Sequence, residues 1–326
     1  MQLPTRGAPS AFDACSVNDD HHICIAAPGC LTIFRLSNPS LPHHVIHYEQ
    51  PQPVDKLKFH RRGDLVGILR AGVVSIWDPN RELRPLVGLL KSSGPVTTLD
   101  WSQHNYDILA TGCSGGSVRI WDARSHSVAV QQMSLGGLGS CSTVEWCPTK
   151  PCLLAANSNG ERVFVFDTRM AGSSPDSPYA CSIECNDGVV SSTWLCDSTY
   201  LENSSGKIAL ATKSGDLQFW DTSVAGGGKA EGVHALQTGE CQSAEIGSKT
   251  TLLATSKGMG IVTCSRNEDS ATATTPAGTG TAEVVEKSRF DLRLYSVVEG
   301  PQPAASSSTE LAKVSATGIL GMFWTE

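Results

Sequence analysis

Val96-Thr-Thr-Leu-Asp-Trp101, Asp107-Ile-Leu-Ala-Thr111, Ser117-Val-Arg-Ile-Trp-Asp122 and Val128-Ala-Val-Gln-Gln-Met133 follow one another along the chain. Each is short and rich in β-branched or apolar residues, and turn residues such as Ser114-Gly-Gly116 stand between them. That pattern reads as four consecutive strands. The third of them ends in Trp-Asp, and an aromatic followed by Asp returns at Trp77-Asp78, Trp121-Asp122, Phe166-Asp167 and Trp220-Asp221. The aromatics are 44, 45 and 54 residues apart. A period of about 40–45 residues carrying this dipeptide marks a repeat of four-stranded units, each of which buries its faces only against its neighbours.

The same plan extends in both directions. Residues 54–90 hold Val54-Asp-Lys-Leu-Lys-Phe59, Leu65-Val-Gly-Ile-Leu69, Val73-Val-Ser-Ile-Trp-Asp78 and Pro85-Leu-Val-Gly-Leu-Leu90. Residues 141–185 and 189–238 repeat it around Phe166 and Trp220, and residues 11–49 form a weaker copy in which Phe34 takes the tryptophan's place with no Asp after it. In residues 241–316, Thr251-Leu-Leu-Ala-Thr255 reads as a second strand and Phe290-Asp-Leu-Arg-Leu-Tyr295 as a third. Residues 267–288, rich in Ala, Thr, Gly and Ser, read as a flexible insertion. An alternative makes Gly260-Ile-Val-Thr-Cys264 the third strand and places another unit inside the insertion.

A second set of aromatics fixes the register. Phe59, Trp101, Trp146, Trp194 and Trp324 each end a first-strand segment, 24 to 29 residues after the third-strand aromatic before it. The expected fold is therefore all-β: a β-propeller of six four-stranded blades over residues 11–316, with residues 1–10 as a tail. Residues 317–326 are expected to open a seventh blade. A lone opening strand would leave an unpaired edge, so the expectation is a seven-bladed ring within a longer chain. The alternative is closure of six blades by the last strand.

These repeats resemble the WD40 family over almost the whole chain outside the loops. The resemblance implies a platform for protein complexes. The chain departs from the family pattern in having no Gly-His dipeptide, and the turns Pro28-Gly29, Ala71-Gly72, Gly115-Gly116, Asn159-Gly160 and Ser214-Gly215 lack the usual Asp. The family's buried hydrogen-bonded network is thus expected to be incomplete, with more of the stability left to apolar packing and ladder hydrogen bonds. Trp121-Asp-Ala-Arg124 and Phe166-Asp-Thr-Arg169 resemble the paired Trp-Asp-x-Arg boxes of WD40 substrate receptors in cullin–RING ubiquitin ligases. That likeness makes Arg124 and Arg169 the candidate partner-binding residues, the planar guanidinium being suited to directional bonds. A further likeness, over Leu99-Asp100-Trp101 and Ile120-Trp121-Asp122, is to the opening propellers of larger coat or nutrient-signalling subunits.

Composition points away from other functions. The net charge of −7 over 326 residues argues against general nucleic-acid binding. Arg61-Arg62 and Lys56 with Lys58 form a local basic stretch, read as a solvated loop and strand edge. No segment has the ~18 consecutive apolar residues of a membrane helix. The first residues carry no apolar signal region, so no secretory signal is read there and a cytoplasmic or nuclear location is the expectation. The twelve cysteines are scattered. Cys24, Cys113, Cys152, Cys196 and Cys264 lie in or beside apolar runs and read as packed thiols, and Cys181 with Cys185 lacks zinc-site spacing. His43 and His47 would share a strand face but read as exposed polar residues. Phosphate-loop and His-Glu-x-x-His patterns are missing. The expectation is a non-enzymatic scaffold with no cofactor or metal, whose partners are proteins or peptide segments rather than small molecules. The Asp of each Trp-Asp pair is expected to bind local backbone amides in the turn.

Overall fold

The structure is a computed structural model. It describes residues 10–17, 20–35, 37–48, 52–81, 84–125, 127–137, 139–158, 162–169, 180–185, 188–195, 206–212, 217–222, 231–236, 251–254, 260–267, 289–298 and 307–317. Residues 1–9, 268–288 and 318–326, which hold most of the expected tail, insertion and seventh-blade strand, lie outside the described residues.

Strands β1 (Ala11–Val17), β2 (Asp20–Ala27), β3 (Cys30–Arg35) and β4 (Asn38–His47) pair in that order in one antiparallel sheet. The second sheet holds β5 (Lys56–Phe59), β6 (Val66–Arg70), β7 (Val73–Trp77) and β8 (Leu86–Leu89). The third holds β9 (Val96–Trp101), β10 (Ile108–Cys113), β11 (Ser117–Asp122) and β12 (Gln131–Ser134). The fourth holds β13 (Cys141–Trp146), β14 (Leu153–Ser158), β15 (Arg162–Asp167) and β16 (Cys181–Glu184). The fifth holds β17 (Val189–Leu195), β18 (Lys207–Thr212), β19 (Leu217–Asp221) and β20 (Glu231–Leu236). The sixth holds β21 (Thr251–Ala254), β22 (Gly260–Asn267), β23 (Arg289–Val298) and β24 (Ser307–Thr317). First strands of consecutive sheets pack on one another, from β1 through β5, β9, β13 and β17 to β21. The sheets are the blades of a propeller, and the first strands form its inner wall.

Alternation along each strand sends neighbouring side chains to different inter-blade layers. On β11, Val118 and Ile120 enter the layer shared with blade four, while Trp121 enters the layer shared with blade two. On β15, Phe164 and Phe166 face blade three, while Val163 and Val165 face blade five. The repeat aromatics all look backward. Trp77, Trp121, Phe166 and Trp220 pack in the layers that join their blade to the one before. Phe59, Trp101, Trp146 and Trp194 fill the same four layers from the first strands. Two large rings per joint, spaced by the repeat, are what weld one sheet to the next.

Blade six differs from the sequence expectation. Thr251-Leu-Leu-Ala254 is the first strand of its sheet, not the second, and Gly260-Ile-Val-Thr-Cys264 belongs to the second strand, not a third. Phe290–Tyr295 does lie in the third, with Tyr295 opposite Ile261. The misreading has a physical cause. A run such as Thr-Leu-Leu-Ala suits any half-buried strand, and strand position is set by which edges pair, a fact composition does not carry. Thr317 closes β24 opposite Arg289 and does not open a new strand.

Candidate functional site

The third-strand turns form a rim. Asp122 ends β11, and its Oδ1 accepts the Arg124 backbone N–H (2.9 Å) and the Arg124 Nε–H (2.9 Å); Oδ2 accepts Nη2–H at 2.7 Å. Blade four repeats this around Asp167. Arg169 N and Nε donate to Oδ1 at 3.0 Å each, and Nη2 to Oδ2 at 2.6 Å. In blade two, Asp78 Oδ1 accepts the Asn80 N–H at 3.0 Å, and Oδ2 meets Arg81 Nε at 2.9 Å. Each acid therefore closes its own turn, two residues ahead, and clamps an arginine to it. The Arg124 and Arg169 hydrogen bonds hold the Asp122 and Asp167 carboxyls below the usual aspartate range. Arg124 and Arg169 nevertheless stay 72% and 75% exposed. Arg124 also lies 3.4 Å from Asp107, in the β9–β10 connection of its own blade. Gln131 Nε2 donates to Thr168 O at 3.0 Å, tying blade three to the turn of blade four.

The indoles beneath the rim are bonded case by case. Trp121 Nε1 donates to Thr111 Oγ1 (2.9 Å), Trp77 Nε1 to Ser75 Oγ (2.8 Å) and Trp220 Nε1 to Gln218 Oε1 (3.3 Å). Phe166 has no N–H to place. One buried rung thus persists at Thr111–Trp121 without the Gly-His and Asp that the family pattern would supply.

The inner wall holds a second constellation, one the sequence reading missed. Asp13, Lys58, Asp100, Glu145 and Thr193 occupy matching positions on β1, β5, β9, β13 and β17. Asp13 Oδ2 accepts the Phe59 N–H of the next blade at 2.7 Å. Asp100 Oδ2 accepts that of Trp146 at 2.9 Å. Glu145 accepts from Thr193 Oγ1 at 3.0 Å and from the Trp194 N–H. First strands would otherwise leave these N–H groups unpaired along an inner edge, and the acids bridge three of the joints. Between blades two and three the acid is replaced by Lys58, whose carbonyl accepts Trp101 Nε1–H at 3.1 Å.

Lys56 and Lys58 are therefore not a solvated strand edge. Lys56 Nζ donates to Thr98 Oγ1 at 2.7 Å, and Lys58 Nζ lies 3.9 Å from Asp13. Burial, reinforced by Lys58, lowers the Lys56 ammonium to about 8. The Asp13 carboxylate raises that of Lys58. Burial, reinforced by Asp100, pushes Glu145 up to about 7, and burial raises Asp100 as well. The signal was present in sequence: the residues before Phe59, Trp101, Trp146 and Trp194 are Lys58, Asp100, Glu145 and Thr193, all polar. Only the ring arrangement shows that they meet.

The remaining sequence candidates fall elsewhere. His22 and His43 lie 6.0 Å apart by ring centroid and His43 and His44 4.0 Å, on blade one. Among the described residues no group of three His, Cys, Asp or Glu side chains has metal-site geometry. The nine cysteines whose side chains are described are free thiols, and Cys181 and Cys185 pack in the layer between blades four and five. No helix of the described residues is long and apolar enough to cross a membrane.

No family model matches the chain. It is 29% identical over 142 residues to protein transport protein sec31 of Aspergillus oryzae, a match covering 42% of this chain and 11% of that protein. It is 30% identical over 132 residues to histone-binding protein MSI1 of Saccharomyces cerevisiae, covering 39% and 29%. It is 33% identical over 85 residues to the human GATOR2 complex protein WDR59, covering 26% and 8%. The chain spans about a tenth of the length of the first curated relatives it matches. Among solved structures, a chain of the mitotic checkpoint complex superposes with a TM-score of 0.62 at 14% identity, over 96% of this chain and 87% of the other. The Cps50 (Swd1) β-propeller domain of Myceliophteria thermophila gives 0.61 at 12% identity, over 81% and 82%. These relatives and neighbours are WD40 propeller proteins.

Proposed function

We propose that this chain, a WD40-type β-propeller, is a non-enzymatic scaffold that holds proteins or peptide segments together within a multiprotein complex. The observation that carries the reading is the rim. Exposed guanidinium groups are held in fixed geometry by the acids that close their own turns. A side chain already ordered loses less entropy when a partner arrives, so such a surface favours association. The welded inter-blade layers keep successive rim turns in constant relation. Arg124 and Arg169 are proposed rim contacts through the guanidinium edges not turned to Asp122 and Asp167. The free thiols support a reducing compartment, the cytoplasm or nucleus.

A second reading makes the chain the propeller of a larger subunit in a transport or signalling assembly. The similarity to protein transport protein sec31 and to GATOR2 complex protein WDR59 favours it. The ubiquitin-ligase receptor reading has only the paired arginine boxes in its favour. Affinity capture of the intact protein, with the wild type beside Arg124→Ala/Arg169→Ala, tests all three. A stoichiometric set of co-purifying proteins supports the scaffold reading, and its identity separates the assemblies. Loss of a cullin-linked adaptor in the double variant would support the ligase reading. A protein recovered alone under gentle conditions would count against every one of them.

A further inference from the structure

To an anion the clamped arginines of the rim offer only the guanidinium edges turned away from their own aspartates. Arg81, Arg124 and Arg169 are each already paired with the aspartate of their own turn. A partner's carboxylate would have to compete with an acid held at a distance of 2.6–2.9 Å. Two other arginines, in the β5–β6 connection of blade two, are arranged differently.

That connection reads His60-Arg61-Arg62-Gly63-Asp64. Its base is fixed. The His60 N–H donates to Leu65 O at 2.9 Å, and the Gly63 N–H returns to His60 O at 2.8 Å. Gly63 has φ +69°, in the left-handed region that lets the chain double back. The His60 ring is buried and stands edge-on to Trp101 and Tyr106, with centroids 5.2 and 5.5 Å away. Its Nδ1 donates to Asp64 Oδ1 at 2.5 Å. On this base the Arg62 guanidinium lies over the Tyr106 ring, 3.7 Å from its centroid. Arg61 Nη1 donates to Gln103 O at 3.4 Å, in the β9–β10 connection of the next blade. Both arginines are exposed. Neither belongs to any ion pair among the described residues. Asp64, the acid nearest the two arginines in sequence, is engaged with His60, and Asp107, next to Tyr106, with Arg124.

We propose that Arg61 and Arg62, seated on Tyr106, form the rim's contact point for an anionic side chain, carboxylate or phosphate, on a peptide segment of a partner protein. The proposal rests on the scaffold reading and adds its chemistry. A guanidinium stacked on an aromatic face is held in orientation and partly stripped of water, while its in-plane N–H groups still point outward. That is the donor geometry that meets a carboxylate or phosphate with two parallel bonds. The chain as a whole carries −7, so an acidic partner is repelled except where cations are locally uncompensated. An unpaired cationic corner on an acidic molecule therefore selects where such a segment lands.

The test uses the intact chain and fluorescence anisotropy with three labelled peptides of equal length: oligo-glutamate, a phosphoserine peptide, and oligo-lysine as control. The wild type should bind at least one anionic peptide, more weakly as salt rises, and should not bind oligo-lysine. Arg61→Ala/Arg62→Ala should weaken that binding roughly tenfold or more, and Tyr106→Leu, which keeps the bulk over His60, severalfold. Arg162→Ala, which removes an arginine paired with Glu184 in blade four, should change it less than about twofold. Preference for phosphoserine over glutamate, or the reverse, assigns the anion. Thermal melting should be unaltered in the Arg61→Ala/Arg62→Ala protein, since neither side chain is buried. Wild-type protein that binds neither anionic peptide, or equal binding by wild type and Arg61→Ala/Arg62→Ala, would overturn the proposal. If affinity capture then still recovers the same partner set from both proteins, the scaffold reading survives and only this contact point fails.

Discussion

Glu145 shows at the scale of one residue what an inner wall does to a carboxylate. It bridges to Thr193 and Trp194 of the next blade, yet burial and the neighbouring Asp100 carry it from 4.5 up to about 7, against the opposing pull of Lys58. A carboxyl that binds its proton more tightly folded than unfolded stabilises the fold at low pH. Its contribution is complete below about 4.5 and fades as pH rises to about 7. Thermal melts should therefore show this loss between those values, and Glu145→Gln should flatten it. At pH 8 the Gln protein should be more stable by on the order of 2 kcal/mol, because the amide still accepts both hydrogen bonds without a buried charge. Identical pH profiles for the two proteins would refute the assignment. Asp100, raised by burial, shifts stability in the same direction, while Lys56, lowered to about 8, acts above this window. Ala71 offers a second test. With Gly72 it makes the two-residue turn between β6 and β7, both at positive φ (48° and 77°). That conformation disfavours alanine and suits asparagine. Ala71→Asn should gain about 0.5–1 kcal/mol in denaturant unfolding. Such a gain is half legible in sequence: Ala-Gly announces a turn, but the sign of φ at Ala71 does not show until the strands are paired.

At the scale of the element, first strands carry an irregularity that no periodicity announced. Register shifts at Thr97, Ser142 and Val190 insert one extra residue into β9, β13 and β17 at matching places. The extra hydroxyls are used. Thr97 Oγ1 donates to Gly112 O (3.1 Å) and to Cys141 O of the next blade, and Ser142 Oγ donates to Asn157 O at 3.3 Å. Bulges of this kind bend a strand while keeping the flanking residues in register. The bend brings blade four against Gly112, where an added Cβ would collide with Cys141 Sγ and meet Thr98 Cγ2 at 2.7 Å. Gly112→Ala should accordingly cost about 1–3 kcal/mol by overpacking, read as a lower denaturant midpoint. Addition of Cys141→Ala, which removes the nearer sulfur, should recover part of that loss, and no recovery would place the strain elsewhere. Alternation, turn residues and the Trp-Asp ends made most strands of blades two to five legible from sequence. The bulges were not, because one inserted residue leaves the local composition of a strand unchanged. Blade six went wrong for the same reason: Thr251-Leu-Leu-Ala254 has the look of a strand but no mark of its place in the sheet.

At the scale of the whole molecule, four core layers among the described residues each belong to two blades. Trp146 is counted in blade four but lies with Val118, Ile120 and Met133 of blade three. Trp146→Ala should cost about 3–5 kcal/mol, and the loss should not stay in its own sheet. Amide exchange should quicken in β10 and β11 as well as in β13 and β14, since neighbouring units of a repeat array stabilise each other across their interface. Faster exchange confined to blade four would mean the blades are more independent than their shared layers imply. The sequence by itself determined the repeat, the strand character and the two aromatic rungs, because these follow from side-chain chemistry at fixed spacing along one chain. Only the tertiary structure decided that Lys56, Lys58, Asp100 and Glu145 line one wall, that Arg124 and Arg169 are clamped, and that Arg62 rests on Tyr106. Those meetings join residues from different blades or the two ends of a turn, and the distance between such groups is set by packing, which linear spacing does not encode.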